Sequence, residues 1–193
     1  MTISQFFFKN RSYTPIIFFI PLVLYGRPTL LTLITGLIIL LLGELLRFWG
    51  VAYAGGETRT TKVGASVLVT QGPFAYIRNP LYAGNMLIYF GISIMDNSLF
   101  PYLQIIGIIF FSIQYYFIVK DEENFLRGKF KEKYDDYFNS VPSFLPNFKA
   151  YDESKQSKVK SNYKESYRSE KRTFQAILWI LVLIILTYIL INA

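Results

Sequence analysis

The sequence predicts an all-α fold, a polytopic membrane helix bundle with about five spans. Of its 193 residues, 52% are apolar and 18% are aromatic, and the mean hydropathy is +0.32. These values exceed what an ordinary soluble domain carries. The apolar residues are also gathered into runs, several of which approach the roughly 20 residues that a helix needs to cross the hydrocarbon core.

Five apolar runs follow one another along the chain. The first, 15–25, and the third, 81–95, are short, so each predicts a thin span or a re-entrant piece buried against its neighbours. The second, 29–51, the fourth, 99–119, and the fifth, 174–191, are long enough to cross a membrane as helices. We expect five spans, with four as the alternative.

Basic residues assign the two sides of the membrane, because cytosolic loops carry an excess of Lys and Arg. Thirteen of the 20 basic residues lie between Lys120 and Arg172. Others precede the first run or lie in the connection before the third: Lys9, Arg11, Arg59, Lys62 and Arg78. We therefore place the N-terminus and the main charged loops in the cytosol. The net charge of +7 then marks a cytosolic face rather than a nucleic-acid groove.

A polar stretch before the last run divides the chain. Residues 149–172 are mainly Lys, Ser, Glu, Gln and Tyr without an apolar period, which is typical of a solvated linker or a broken basic helix. Contact of its lysines with anionic headgroups is a further interpretation. The sequence thus predicts a membrane core over 1–148, a polar basic linker over 149–172 and a C-terminal transmembrane helix over 173–193.

The sequence contains no Cys and no His. It therefore lacks thiol nucleophiles, disulfides and imidazole bases, and also the nitrogen and sulfur ligands that zinc and haem usually take. Asp121, Glu122 and Glu123 stand together, but no partner ligands for Mg²⁺ or Ca²⁺ can be identified in the sequence. We expect no metal site, and chemistry that depends on carboxylates, Tyr, Arg, amides or a cofactor.

The connection before the third run is the first candidate site. It leads from the apolar triplet 67–69 through Gly72 to Arg78, Asn79 and Pro80. Asn is a strong helix N-cap, and Pro at the first helical position gives up only an amide that has no partner there. The free amides of such a helix start favour an anion. The same residues are equally typical of a helix that enters a membrane from the cytosol.

The segment after the fourth run is the second candidate site. Glu122 and Glu123 follow that run, and apolar and aromatic residues then continue at helical intervals from Leu126 until the pattern stops at prolines, the last of them Pro146. This spacing predicts a cytosolic amphipathic helix that closes over a pocket, with a carboxylate at its head. Near the end of the second run, Glu44 and Arg47 at i and i+3 predict a structural ion pair.

Together the two sites resemble the isoprenylcysteine carboxyl methyltransferase family, small integral membrane methyltransferases related to the phospholipid N-methyltransferases. The family pattern is an apolar triplet, a Gly and Arg-His-Pro-x-Tyr at a span entrance, then after another span Glu-Glu-x-x-Leu, a Phe, spaced tyrosines and a Pro. The matching residues are Val67, Leu68, Val69, Gly72, Arg78, Asn79, Pro80, Leu81, Tyr82, Glu122, Glu123, Leu126, Phe130, Tyr134, Tyr137 and Pro146.

The resemblance implies S-adenosylmethionine as the methyl donor and a lipophilic acceptor that arrives through the bilayer. It assigns the shaping of the catalytic pocket to Arg78 and Tyr82. It assigns cofactor binding to Val67, Leu68, Val69, Phe74, Asn79, Pro80, Leu81, Tyr82, Glu122 and Glu123. These residue types suit a zwitterionic cofactor, because a helix N-terminus favours its carboxylate and a Glu suits its ribose hydroxyls or amine.

Three positions depart from the family pattern. Asn79 replaces a His, and its amide still donates and accepts a hydrogen bond. Ile118 replaces an Arg that is thought to meet the substrate carboxylate, so a prenylcysteine carboxylate would lose its bidentate partner. Lys120 is the nearest cation and is expected to point to a different face. Lys131 replaces a Gly.

We therefore expect S-adenosylmethionine-dependent methyl transfer to an isoprenylcysteine-like carboxylate or another lipid-like small molecule at the cytosolic membrane face. One alternative is an NADPH-dependent enzyme similar to the sterol reductases, which share the Arg-His-Pro-x-Tyr entrance. Another is a non-catalytic scaffold or lipid-binding membrane protein. The expected partners are the acceptor and membrane lipids, and not nucleic acid. The sequence leaves the acceptor and the oligomeric state open.

Overall fold

The computed structural model of the protein describes residues 2–55 and 64–193. Within those residues every secondary-structure element is a helix and none is a strand, which confirms the predicted all-α class. Arg59 and Lys62 of the predicted cytosolic connection lie outside the described residues. The helices are α1 (Ile3–Asn10), α2 (Ile16–Tyr25), α3 (Leu30–Ala54), α4 (Pro80–Asp96), α5 (Tyr102–Phe130), α6 (Glu132–Ser140) and α7 (Tyr163–Asn192), with a 3-10 turn at Gly72–Ala75 before α4.

Three of the described helices, α3, α5 and α7, are long and apolar enough to cross a membrane. They cover most or all of each of the three long runs of the sequence. The two short runs form α2, with 10 residues, and α4, with 17 residues. The protein is thus an integral membrane protein, and the count of five spans stays a prediction for α2 and α4.

Helices α3 and α4 pack against each other through glycines. A Cβ atom added at Gly43 would lie 2.7 Å from the carbonyl oxygen of Gly84, and one added at Gly91 would lie 2.6 Å from the amide nitrogen of Leu40. Small residues let two helix backbones approach closely, which is the usual basis of helix association in a bilayer. This glycine seam therefore fixes α4, and the residues at its start, against α3.

Helix α5 continues well past the predicted end of the fourth run. It ends only at Phe130, because Lys131 adopts a left-handed backbone with φ of 49°. Glu122 and Glu123 consequently lie on the same helix as the apolar run. Helix α6 follows at once and buries Tyr134 and Tyr137, whereas its predicted position along the cytosolic membrane face stays a prediction.

Helix α7 begins inside the predicted linker. The side chain of Asn162 caps it by accepting a hydrogen bond of 3.0 Å from the amide of Glu165. The Nη2 atom of Arg47 on α3 lies 2.9 Å from both carboxylate oxygens of Glu170, whose side chain is 1% exposed. Sequence reasoning paired Arg47 with Glu44 on its own helix, whereas these contacts fasten α7 to α3.

The segment between α6 and α7, residues 141–162, forms a strap along the 3-10 turn and the start of α4. The amide of Arg78 donates to the carbonyl of Pro142 at 2.9 Å, and the amide of Tyr151 donates to the carbonyl of Ala75 at 2.8 Å. Further along, the amide of Ser157 donates to the hydroxyl of Thr70 at 2.7 Å. The strap thus holds the first candidate site in place through backbone and side-chain hydrogen bonds.

Candidate functional site

A cavity of about 730 Å³ opens where the start of α4, the end of α5 and α6 meet. Its volume is typical of a site for a small molecule. Every residue that the sequence assigned to catalysis or to the cofactor lines it: Val67, Leu68, Val69, Phe74, Arg78, Asn79, Pro80, Leu81, Tyr82, Glu122 and Glu123. These residues come from three separate stretches of chain, so it is the fold that brings them together.

Asn79 occupies the N-cap position of α4, but its side chain does not cap the helix. Instead, its Nδ2 atom donates to the hydroxyl of Ser143 in the strap at 3.0 Å. Pro80 begins the helix and has no amide to donate. The first-turn amides of Leu81 and Tyr82 have no carbonyl partner within the helix, and both residues line the cavity.

Arg78 holds the junction of α4, α5 and α6. Its Nε atom donates to Glu123 at 3.0 Å, and its Nη1 atom donates to the carbonyl of Phe138 at 2.8 Å and to that of Val141. The guanidinium also lies 4.1 Å from the centre of the Phe138 ring. Because these contacts come from the protein itself, the geometry gives Arg78 a positioning role at the edge of the cavity.

Tyr82 and Glu122 meet on the cavity wall. The hydroxyl of Tyr82 donates to the Oε1 atom of Glu122 at 2.7 Å, and the Tyr82 ring lies 4.8 Å from the ring of Tyr115. This arrangement joins the first turn of α4 to α5 across the cavity. The carboxylate of Glu122 is therefore held in one orientation while it faces the space inside.

Aromatic side chains of α6 form the opposite part of the wall. Tyr134 and Tyr137 are both buried, and the hydroxyl of Tyr137 donates to the carbonyl of Phe74 at 2.7 Å. Burial raises the pKa of the Tyr134 hydroxyl and that of Tyr137 above the ordinary value for tyrosine. Both hydroxyls therefore stay neutral at physiological pH, and that of Tyr137 acts as a hydrogen-bond donor rather than as a base.

Several lining residues were missed by the sequence reasoning. They are Phe8, Lys9, Arg11 and Ser12 from the N-terminal segment, Arg47 from α3, Asn85 and Tyr89 from α4, and Arg172, Thr173 and Ala176 from α7. Asn85 and Tyr89 follow Tyr82 by three and seven residues, so helical spacing would have found them. The sequence carries no pattern that places residues of α1 and α7 in the cavity, because their position there depends on how helices distant in the chain pack together.

Ile118, which stands where the resembled family has Arg, lies outside the cavity lining. Its side chain is fully buried and packs in a cluster with Phe8 and Tyr115. Lys120 does not line the cavity either, and its ammonium lies 5.9 Å from the centre of the Tyr116 ring. Helix α5 therefore offers carboxylates to the cavity and no cation at the position of the family's Arg.

Residues 31–133, more than half of the chain, match the sequence profile of the phospholipid methyltransferase family. The chain belongs to this family. The phospholipid methyltransferase family includes the isoprenylcysteine carboxyl methyltransferases, so the resemblance drawn from the two candidate sites is confirmed. The matched residues cover α4, α5 and nearly all of α3, whereas the cavity residues of the N-terminal segment, α6 and α7 lie outside them.

Two curated relatives share part of this sequence. The cobalt-zinc-cadmium resistance protein CzcN of Cupriavidus metallidurans is 32% identical over 124 residues, which is 64% of this chain and 52% of the relative. The nickel-cobalt-cadmium resistance protein NccN of Alcaligenes xylosoxydans xylosoxydans is 30% identical over 105 residues, 54% of this chain and 45% of the relative. The chain thus spans about half the length of these relatives. No solved structure matches it.

Proposed function

We propose that this protein transfers a methyl group from S-adenosylmethionine to a lipophilic acceptor at the cytosolic face of the membrane. The observation that carries the proposal is the single cavity lined by all eleven residues that the family resemblance assigns to the site. Membership of the phospholipid methyltransferase family supports methyl transfer over the reductase and scaffold alternatives. The cytosolic side follows from the basic loops around the cavity.

The donor set of the cavity fits S-adenosylmethionine. Glu122, held by Tyr82, presents a carboxylate suited to ribose hydroxyls or to the amine. The first-turn amides of α4 suit a carboxylate, since a helix N-terminus favours negative charge. Leu68 and Phe74 give the apolar surface on which an adenine ring packs. When bound, the cofactor supplies an electrophilic methyl group on a positively charged sulfur.

The reaction makes few demands on acid or base groups. Methyl transfer would form a bond between the nucleophilic atom of the acceptor and the methyl carbon, and would release the donor sulfur as a neutral thioether. A carboxylate acceptor has no proton to lose in this step. Placement of the two reactants and exclusion of water then provide most of the rate enhancement, so a chain without His is competent for it.

The names of the two relatives suggest a setting for this activity. Both are called metal resistance proteins. This sequence has no Cys and no His, the side chains that cobalt, zinc and cadmium sites commonly use. A role in resistance would therefore follow from methylation of a membrane constituent rather than from direct capture of the metal.

The test is binding of S-adenosylmethionine to the full chain in lipid nanodiscs, measured by calorimetry. Glu122→Gln and Tyr82→Phe are expected to weaken binding about tenfold, because a hydrogen bond to a charged group contributes on the order of 1.5–3 kcal/mol. Glu132→Gln and Tyr116→Phe are matched controls, since both side chains are exposed and neither lines the cavity. The proposal fails if the wild-type chain does not saturate, or if the controls lose as much affinity.

A further inference from the structure

Arg172 places a cation on the cavity wall. It lies on α7, beyond the residues that match the family, and Thr173 and Ala176 line the cavity beside it. The side chain is exposed. Among the described residues, no carboxylate or carbonyl oxygen lies within bonding distance of its guanidinium. Its five N–H donors are therefore available to a ligand.

The other arginines that α3 and the start of α4 contribute to the cavity are already paired. Arg78 binds Glu123 with its Nη2 atom at 3.0 Å, and Arg47 binds Glu170 at 2.9 Å. The carboxylates of these pairs compensate the charges of their partners. Arg172 consequently adds a positive charge to the cavity that the described residues do not neutralise there, and it favours an anionic ligand group.

The position of Arg172 along α7 suits the headgroup of an amphiphile. The residue lies just before the apolar run that begins at Phe174, which is where an arginine is expected to reach the membrane interface. A smaller apolar crevice of about 90 Å³ lies between α2, α4 and α5, with Ile180 of α7 in its wall. Tyr89 lines both spaces, so the crevice adjoins the cavity and could hold the apolar chain of a molecule whose headgroup lies in the cavity.

We propose that Arg172 is a specificity-determining residue that binds the anionic headgroup, a carboxylate or a phosphate, of a membrane-embedded amphiphile. That this amphiphile is the methyl acceptor rests on the proposed methyl transfer. The binding of its headgroup by Arg172 does not depend on that proposal. In this arrangement α7 supplies a cation to the cavity, whereas the corresponding position on α5 is the buried Ile118. The guanidinium pairs with two oxygens of the headgroup, a geometry that carboxylates and phosphates share.

The experiment titrates three twelve-carbon probes into the full chain in phosphatidylcholine nanodiscs: dodecanoate, dodecyl phosphate and the neutral dodecanol. Arg172→Gln is compared with Arg172→Lys and with Lys171→Gln, which removes the adjacent exposed cation that does not line the cavity. We expect Arg172→Gln to weaken at least one anionic probe about tenfold and to leave dodecanol unchanged. Lys should restore part of the affinity, and Lys171→Gln should stay within about twofold of the wild type.

The probe that loses more affinity identifies the headgroup as a carboxylate or a phosphate. Equal losses in Arg172→Gln and Lys171→Gln would assign the effect to general surface charge and overturn the inference, as would unchanged binding in Arg172→Gln. Binding of S-adenosylmethionine to the same preparations separates the two proposals. Its absence from the wild type contradicts methyl transfer, while the comparison of probes still decides the role of Arg172.

Discussion

Lys131 stands at the break between α5 and α6 with a backbone φ of 49°, where a side chain is strained and glycine is favoured. The resembled family has Gly at this position. The Lys131 side chain is exposed, so no buried packing offsets the strain. The chain therefore keeps a sharp turn between its two cavity-lining helices at a cost in stability.

Lys131→Gly should stabilise the protein by about 1 kcal/mol, because relief of the strained φ exceeds the added entropy of the unfolded chain. Thermal unfolding in detergent is expected to show a rise in Tm of about 2–4 °C. Lys133→Gly is the matched control: Lys133 is exposed within α6, where Gly should lower stability by roughly 0.5–1 kcal/mol. A lower Tm for Lys131→Gly than for the wild type would refute the strain.

The position of a residue within its helix was predictable from the sequence, because it depends on neighbouring residues. Its hydrogen-bond and ion-pair partners were not predictable, because they lie far along the chain. The capping preference of Asn and the Pro that follows it predicted Asn79 at the start of α4, and Asn79 does occupy the N-cap position, although its side chain does not cap the helix. Its actual partner, Ser143, lies far along the chain and is reached only because the strap folds back. In the same way, Arg47 was expected to pair within α3, but Glu170 on α7 binds it.

At the scale of elements, apolar runs located the helices and misplaced some of their ends. The fourth run stops near Val119 because polar residues begin, yet α5 continues to Phe130, since Asp121–Lys129 contains no Pro and Leu126 and Phe130 pack against the tyrosines of α6. Helix α7 begins at Tyr163 for a similar reason, because a cap at Asn162 and contacts with α3 support a polar first turn. Hydropathy reports burial in lipid, whereas helix ends depend on caps and tertiary contacts.

The glycine seam between α3 and α4 gives a test at this scale. Gly91→Ala should destabilise the protein by about 1–3 kcal/mol, because its Cβ would lie 2.7 Å from the carbonyl oxygen of Gly36 and force the two backbones apart. Gly128→Ala is the control, since a Cβ there meets nothing within 4 Å and should stabilise α5 slightly. The measurement is thermal unfolding in detergent.

Separation of α3 from α4 should also change the spacing of the residues that line the cavity. Arg47 lies on α3, while Tyr82, Asn85 and Tyr89 lie on α4, so their spacing depends on the seam. Gly91→Ala is expected to weaken S-adenosylmethionine binding in addition to lowering Tm, although Gly91 does not line the cavity. A variant with wild-type Tm would show that the seam tolerates a methyl group and would contradict the close packing.

For the whole molecule, the absence of Cys from the sequence makes the topology directly testable. Single cysteines at Asn10, Arg27, Ser154 and Asn192 can be labelled from either side of sealed vesicles with a membrane-impermeant maleimide. Five spans predict that Asn10→Cys and Ser154→Cys react from the cytosolic side, and Arg27→Cys and Asn192→Cys from the opposite side. If Asn10→Cys and Arg27→Cys react from the same side, α2 does not cross the membrane.

The pairing of Arg47 with Glu170 ties the family-matched part of the chain to its last helix. Helix α3 carries a guanidinium at the edge of an apolar run, and the carboxylate that compensates it is supplied by α7, more than a hundred residues later. Leaving one member of a buried ion pair without the other is strongly destabilising. In protein design, Arg47 and α7 therefore belong together: a shortened version that ends after α6 must also change residue 47, and a graft of α7 onto another scaffold must bring an arginine with it.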